Sequence, residues 1–331
     1  MTAGKGGAKP TVLLLTPVFN EHEGLPEYER RVRAELMDRE DCDFRVLFID
    51  DGSRDDSWEI IEGICSRDQR FEAIRLSRNF GPHAALSAGF ANGDADAMVV
   101  LSCDLQDPPS AVLEMVEKWR RGAQIVWGRR RSRADGTFRK FCSQMFYELL
   151  KRHAMPRHSK FATGSFLLAD RKVVDCYRQF REHTRITFAL IAWTGFRQDV
   201  VDYDREARRH GSSGWNFGRM LKAMYDTLVG FSGLPMRLMT WAGIGISLLS
   251  FAFSAYLVLN WLLYGSRMPG WPSIMLGISF FFGVQFFCMG LMGEYLSRIY
   301  LESVQRPTFF IADRIGGEAG AAREGTADGD A

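Results

Sequence analysis

The chain is predicted to be an α/β protein with a mostly parallel sheet, followed by interfacial helices and a two-helix transmembrane hairpin. Three observations carry that prediction. Short apolar runs alternate with segments of helical period between Val12 and Arg120, as in sheets whose parallel strands are joined by covering helices. Clusters of Asp, Asn and Gln follow the apolar runs instead of preceding them, and open α/β sheets bind ligands at that end of their strands. Past Arg237 lie two uncharged segments, each longer than the ~20 residues that cross a bilayer core.

Strands are expected at Val12 to Pro17, Arg45 to Ile49, Glu72 to Leu76, Ala97 to Leu101 and Gln124 to Gly128. The helical pattern falls between them, at Gly24 to Met37, Ser57 to Ser66, Pro82 to Ala91 and Pro109 to Arg120. Pro108-Pro109 ends one strand segment and can open the helix that follows. There is no internal repeat.

With 331 residues, 46% of them hydrophobic, the chain can bury a core and hold more than one unit. Its net charge of +2 hides a concentration of positive charge. From Lys118 to Lys160 there are thirteen Lys/Arg against two acids, Asp135 and Glu148. The six cysteines form no Cys-x-x-Cys pair, which fits reduced thiols on the cytosolic side. Met1 to Pro10 lacks the apolar core of a signal peptide. Residues 1–10 and the Gly/Ala/Asp/Glu stretch from Gly316 onward are expected to be disordered tails.

The candidate spans are Met239 to Tyr264 and Ser273 to Leu291, joined by a Gly/Pro turn carrying Arg267. Arg219, Lys222 and Arg237 precede the pair, and Arg298, Arg306 and Arg314 follow it. The positive-inside bias therefore places both termini in the cytoplasm of a multi-pass protein of the plasma (inner) membrane. Glycines in the spans, among them Gly243, Gly277 and Gly290, permit close helix packing and a homo-oligomer. Asn216 to Met236 and Phe138 to Arg152 each carry an apolar stripe with basic borders. That pattern suits helices lying in a headgroup layer, and it equally suits amphipathic core helices. A membrane partner is expected, and nucleic acid is not.

The site is expected where three strand-end clusters converge. Asp104 and Gln106 stand two residues apart after the fourth strand, so both point one way. They are oxygen ligands of the kind a hard divalent cation takes. A solvated turn would use the same residues. Asp50 and Asp51 end the second strand and can accept hydrogen bonds from a base or a ribose, although Asp-Asp-Gly-Ser is also ordinary turn chemistry. No Gly-x-Gly-x-x-Gly follows the first strand, and there is no Gly-Lys-Ser/Thr loop. A bound diphosphate would instead need a metal and arginine.

These residues resemble glycosyltransferase family 2, in particular the polyprenyl-phosphate glycosyltransferases typified by dolichol-phosphate mannose synthase and its bacterial glucosyl relatives. Pro17-Val18-Phe19-Asn20-Glu21 is similar to the family's opening motif, Asp50-Asp51-Gly52-Ser53 to its second nucleotide-binding segment, and Asp104-Leu105-Gln106-Asp107-Pro108-Pro109 to its metal-binding signature. Gly128-Arg129-Arg130 with Arg131-x-Arg133 resembles its phosphate-handling stretch. Arg205-x-x-Arg208-x-x-Gly211-x-Ser213 and Gly293-Glu294-Tyr295-Leu296 resemble later blocks.

The resemblance implies a GT-A domain, a nucleotide-sugar donor, Mg²⁺ or Mn²⁺, a polyprenyl-phosphate acceptor and inversion at the anomeric carbon. It implies donor contacts from Pro17, Phe19, Glu21, Asp50, Asp51, Ser102, Cys103 and Asp104, and metal ligation by Asp104 and Gln106. Three departures accompany it. Ser102 stands where the family usually has Asp, Gly214 where many relatives have Lys, and Thr163 to Phe166 lacks an Asp that some relatives carry.

At neutral pH a phosphate monoester acceptor is already an anion, with a second pKa near ~6, and needs positioning more than a base. Arg131, Arg133, Arg139 and Lys140 are the candidates to hold it, and a solvated charge run is the plainer alternative. Asp104, Arg130 and Arg208 are assigned to charge on the leaving nucleoside diphosphate. The expected layout is a tail (1–10), a GT-A domain (11–215), a juxtamembrane helix (216–237), two spans (238–297) and a cytoplasmic tail (298–331). A processive polysaccharide synthase and a catalytically weakened membrane scaffold are the alternatives. The first usually carries a Gln-x-x-Arg-Trp motif, which is absent.

Overall fold

Thr11–Val18 is the central strand, β1, its Val and Leu run enclosed on both faces of a sheet. The structure, a computed structural model, describes residues 9–131, 166–182, 185–204 and 270–316, with most positions between 241 and 263. Asp43–Asp50 (β2) and Ala97–Val100 (β4) flank β1 and run parallel to it. Phe71–Leu76 (β3) lies parallel outside β2. The crossovers are α1 (Leu25–Val32, continued by a π-helical turn at Arg33–Met37), α2 (Ser57–Arg67), α3 (Pro82–Asn92) and α4 (Ser110–Arg120). Each predicted strand and helix of this region forms, with ends within two residues of expectation.

Alternation along the strands divides the core. Leu14 and Phe48 join Tyr28, Trp58, Val112 and Met115, so one face of the sheet is sealed by α1, α2 and α4. Leu15 and Ile49 face the other way, toward Gly89 of α3, where a Cβ would stand 3.0 Å from Ile49 Cδ1. Ala97 to Val100 is buried at every position because both faces of β4 are covered.

The sheet has eight strands where the sequence pattern led to five. Its order is β7-β5-β6-β4-β1-β2-β3-β8. β5 is Ile125–Arg130, β6 Leu167–Asp170, β7 Gln198–Tyr203 and β8 Ile311–Ile315. β6 is antiparallel to both β4 and β5, while β7 runs parallel to β5. Two further helices, α5 (Arg171–Arg178) and α6 (Thr187–Trp193), lie between β6 and β7 in the chain. Asp170 caps α5 by accepting from the Lys172 N–H.

β8 corrects the expectation of a tail over 298–331. Ile311–Ile315 pairs antiparallel with β3, and the Ser77 N–H donates to the Phe310 carbonyl at 2.9 Å. Ile-Ala-Asp-Arg-Ile is short and charged, as edge strands are, and so offered no apolar run to read.

The chain divides into two units, Met1–Arg219 with Pro307–Ala331, and Met220–Arg306. The first carries all eight strands. The second holds α7 (Trp271–Val304), 34 residues without a break. Among the described residues one helix is long and apolar enough to cross a membrane, Phe280–Val304 within α7. The helix runs on past Leu291, the expected end of the second span, through Glu294 and Arg298 to Val304. The described positions between Trp241 and Leu263 are helical. The stripes at Phe138 to Arg152 and Asn216 to Met236 lie outside the described residues.

Gly128 in β5 shows how tightly the site's support is packed. A Cβ there would meet Phe166 Cδ1 at 2.5 Å and Tyr203 Cε1 at 3.0 Å. Gly128→Ala is expected to cost about 1–3 kcal/mol through overpacking, read as a lowered thermal midpoint of the purified protein.

Candidate active site

Six strands (β1 to β5 and β7) run the same way, so their C-terminal ends share one edge. The chain leaves β1 toward β2 on one side, and β4 returns on the other. That reversal opens the crevice where such sheets bind ligands. The three expected clusters meet there.

The β1 and β2 ends are fastened together. The Asp51 N–H donates to the Val18 carbonyl at 2.8 Å. Ser53 Oγ accepts from the Asn20 N–H at 3.0 Å, Ser57 Oγ from the Glu21 N–H at 3.0 Å, and Asn20 Oδ1 from the Arg54 N–H at 2.9 Å. Asn20 has φ +53°, a left-handed conformation that Asn tolerates. Its part in the motif is thus to shape the turn. Pro17 and Glu21 are half-buried on this edge, and Phe19 is 41% exposed.

The two β2 carboxylates differ in what they hold. Asp51 accepts from the Phe80 N–H (2.7 Å) and the Gly81 N–H (2.9 Å), so it anchors the loop between β3 and α3. Asp50 is fully buried. Its Oδ1 accepts from the Ser53 N–H at 3.0 Å. Its Oδ2 accepts no hydrogen bond, although Arg75 Nε lies 3.2 Å away. Burial raises the pKa of both carboxyls; Ser53 and Arg75 oppose the shift at Asp50, and the two loop N–H groups oppose it at Asp51. Gly52, next after Asp51, has φ +70°, with the Arg78 carbonyl carbon 2.6 Å from where a Cβ would be.

The β4 end carries Asp104 and Gln106, both half-buried. Leu105 has φ +52°, and the Gln106 N–H donates to Asp104 Oδ1 at 3.2 Å. Cys103 is turned into the core with its thiol 3.8 Å from the Pro17 carbonyl, so any ligand contact from it must come from main chain. Ser102 is half-buried. Among the described residues no group of three or more His, Cys, Asp and Glu side chains is arranged to hold a metal. One carboxylate and one amide oxygen nevertheless fit a hard cation whose remaining positions are filled by waters or phosphate oxygens.

Strand alternation sorts the arginines at the end of β5. Arg129 pairs outward with Asp202 through bonds of 2.6 and 2.8 Å, and exposed Arg131 lies 3.4 Å from Asp204. Arg130 turns inward, its Nε donating to Tyr203 Oη at 3.3 Å. Tyr203 in turn donates to the buried Asp107, three residues past Asp104. Burial, with Asp107 next in size, pushes the Tyr203 phenol above its usual pKa. Arg133, Arg139, Lys140 and Arg208 lie outside the described residues. Tyr203 and the inward-facing Asp107 were missed as site residues; the signal for Tyr203 was the Val-Val-Asp-Tyr alternation of an unread strand.

Comparison with known proteins adds the family. The glycosyl transferase family 2 profile matches residues 14–178. An uncharacterized glycosyltransferase of Synechocystis sp., sll0501, is 36% identical over 92% of this chain and 95% of its own. The chain belongs to glycosyl transferase family 2. It is a glycosyltransferase with a GT-A fold, and its sheet is mixed but mostly parallel. This family 2 member is also similar to the bactoprenol glucosyl transferase of Shigella phage SfV, at 33% identity over 91% of this chain and 97% of that one. A Bacillus subtilis glycosyltransferase, YkcC, is 35% identical over 92% and 94%. Among solved structures, the mannosyltransferase PcManGT from Pyrobaculum calidifontis in complex with GDP-Man and Mn²⁺ overlaps 90% of this chain and 87% of that one, with 15% identity and a TM-score of 0.46.

The anchoring role of Asp51 is open to test. Asp51→Asn leaves one loop N–H facing an amide NH₂, and is expected to destabilise the protein by about 1–3 kcal/mol. A denaturant titration of the two proteins reads that difference.

Proposed function

We propose that this glycosyltransferase moves a hexose from a nucleotide-diphosphate sugar, UDP- or GDP-linked, to a polyprenyl phosphate at the inner membrane, inverting the anomeric carbon. The observation that carries the reading is the crevice itself, where Asp50, Asp104, Gln106 and Arg130 stand on one sheet edge. The relatives named bactoprenol glucosyl transferase, matched along nearly their whole length, support the lipid acceptor and favour glucose. The apolar helix Phe280–Val304 supports membrane anchoring. The two-span hairpin over 238–297, the juxtamembrane helix over 216–237, cytoplasmic termini and a homo-oligomer belong to the same proposal.

Each residue has a part. Asp50, buried beneath the crevice with Ser53 and Arg75, shapes the base site, Phe19 offers the base an apolar surface, and Pro17, Glu21 and Ser102 line the donor's path. Asp51 contributes by holding the loop. Asp104 and Gln106 would hold Mg²⁺ or Mn²⁺, which when bound spreads the negative charge of the diphosphate. Arg130 and Arg208 stabilise the charge that grows on the leaving group as the glycosidic bond breaks. Arg131, Arg133, Arg139 and Lys140 hold the acceptor phosphate, whose oxygen is already an anion near neutral pH.

Membranes containing the protein, incubated with labelled UDP- and GDP-sugars and a polyprenyl phosphate, are expected to yield a labelled lipid. Asp104→Ala is expected to lower that transfer about 100-fold or more while leaving the protein in the membrane fraction. Full transfer by Asp104→Ala would overturn the mechanism.

A further inference from the structure

Arg130, Tyr203 and Asp107 come from three separate stretches of chain, yet form one connected group. Parallel pairing of β5 with β7 sets Arg130 opposite Tyr203. The Tyr203 hydroxyl accepts from Arg130 Nε at 3.3 Å and donates to Asp107 Oδ1. An Arg130 terminal nitrogen stands 4.0 Å from the same Asp107 oxygen. A buried carboxylate needs charge or hydrogen bonds to offset its lost hydration, and both are supplied here.

The group has a direction. Asp107 adjoins Gln106 in the loop that carries Asp104. Arg130 keeps 24% of its side chain exposed, while Asp107 keeps 4%. The guanidinium is therefore held from the Asp107 side, through Nε and one terminal nitrogen, while part of the side chain stays exposed to a ligand. The neighbouring arginines take no part, since Arg129 and Arg131 pair with Asp202 and Asp204. Tyr203 is itself fixed, its ring set edge-on to Phe166 at 5.3 Å and packed over bare Gly128.

We infer that Tyr203 and Asp107 are positioning residues that hold Arg130 at the terminal phosphate of the donor's diphosphate, tying that cation to the loop of Asp104 and Gln106. The inference rests on the proposed function for the donor's placement. It separates Tyr203 and Asp107 from the general fold, because their effect passes through one guanidinium to one phosphate.

The test compares UDP with UMP, and GDP with GMP, binding to the full-length protein in detergent. Tyr203→Phe keeps the ring and its packing but takes a hydrogen bond from buried Asp107, so the thermal midpoint is expected to fall, and binding is compared at a temperature where both proteins are folded. Nucleoside diphosphate affinity should fall about 10-fold or more, the range of a hydrogen bond to a charged group, while monophosphate affinity holds. Asp107→Asn should act in the same sense. Arg130→Lys combined with Tyr203→Phe should lose no more than Arg130→Lys alone, because both remove one interaction. Equal weakening of mono- and diphosphate, or no change in either, would overturn the inference. Failure of the unaltered protein to glycosylate any polyprenyl phosphate would remove the acceptor reading, and the ratio of diphosphate to monophosphate binding would still decide the role of Tyr203 and Asp107.

Discussion

Placing β1 between two strands that run its own way is the constraint on which the site depends. Because β2 and β4 are both parallel to β1, the chain must leave and return on opposite sides, and a gap remains above the strand ends. Side chains from distant stretches of sequence then meet without any loop having to fold over them. The gap is lined by hydrogen bonds of Asn20, Asp50, Asp51 and Ser53, most of which tie together loops that the strands have already brought side by side.

Those bonds show why acidic residues at one edge have different fates. Asp51 spends both oxygens on the loop before α3, while Asp50 keeps one oxygen without a hydrogen-bond donor. Asp107 is drawn inward by Tyr203, whereas Asp104 stays at the half-exposed lip. A turn motif rich in Asp thus combines one group that fastens a neighbouring loop with one buried beside Arg75. Neighbouring carboxylates in sequence are not interchangeable in role.

Much of this was legible in the chain. The apolar runs of β1 to β5 and the proline at the start of α3 marked elements to within two residues, because burial on both faces leaves an uninterrupted hydrophobic signature. Convergence of the three polar clusters followed from parallel pairing alone. What escaped reading was short or amphipathic. β6 has four residues, β7 alternates around Asp199 and Asp202, and β8 holds Asp313 and Arg314 in five. Tyr203 and Asp107 escaped for a related reason, since their meeting depends on the register of β5 with β7, which no local pattern encodes. The inward turn of Cys103 and the loop-holding role of Asp51 likewise depend on neighbours far away in sequence.

The position of β8 has a consequence for synthesis. Ile315 pairs with Ala73, so the edge of the sheet beside β3 stays open until a segment more than two hundred residues further along has been made. Ribosomes finish the long apolar helix Trp271–Val304 before Ile311–Ile315 emerges. The nascent protein therefore carries an unfilled strand position throughout the time in which that helix must find its surroundings. The sheet therefore cannot be completed before that helix has been made.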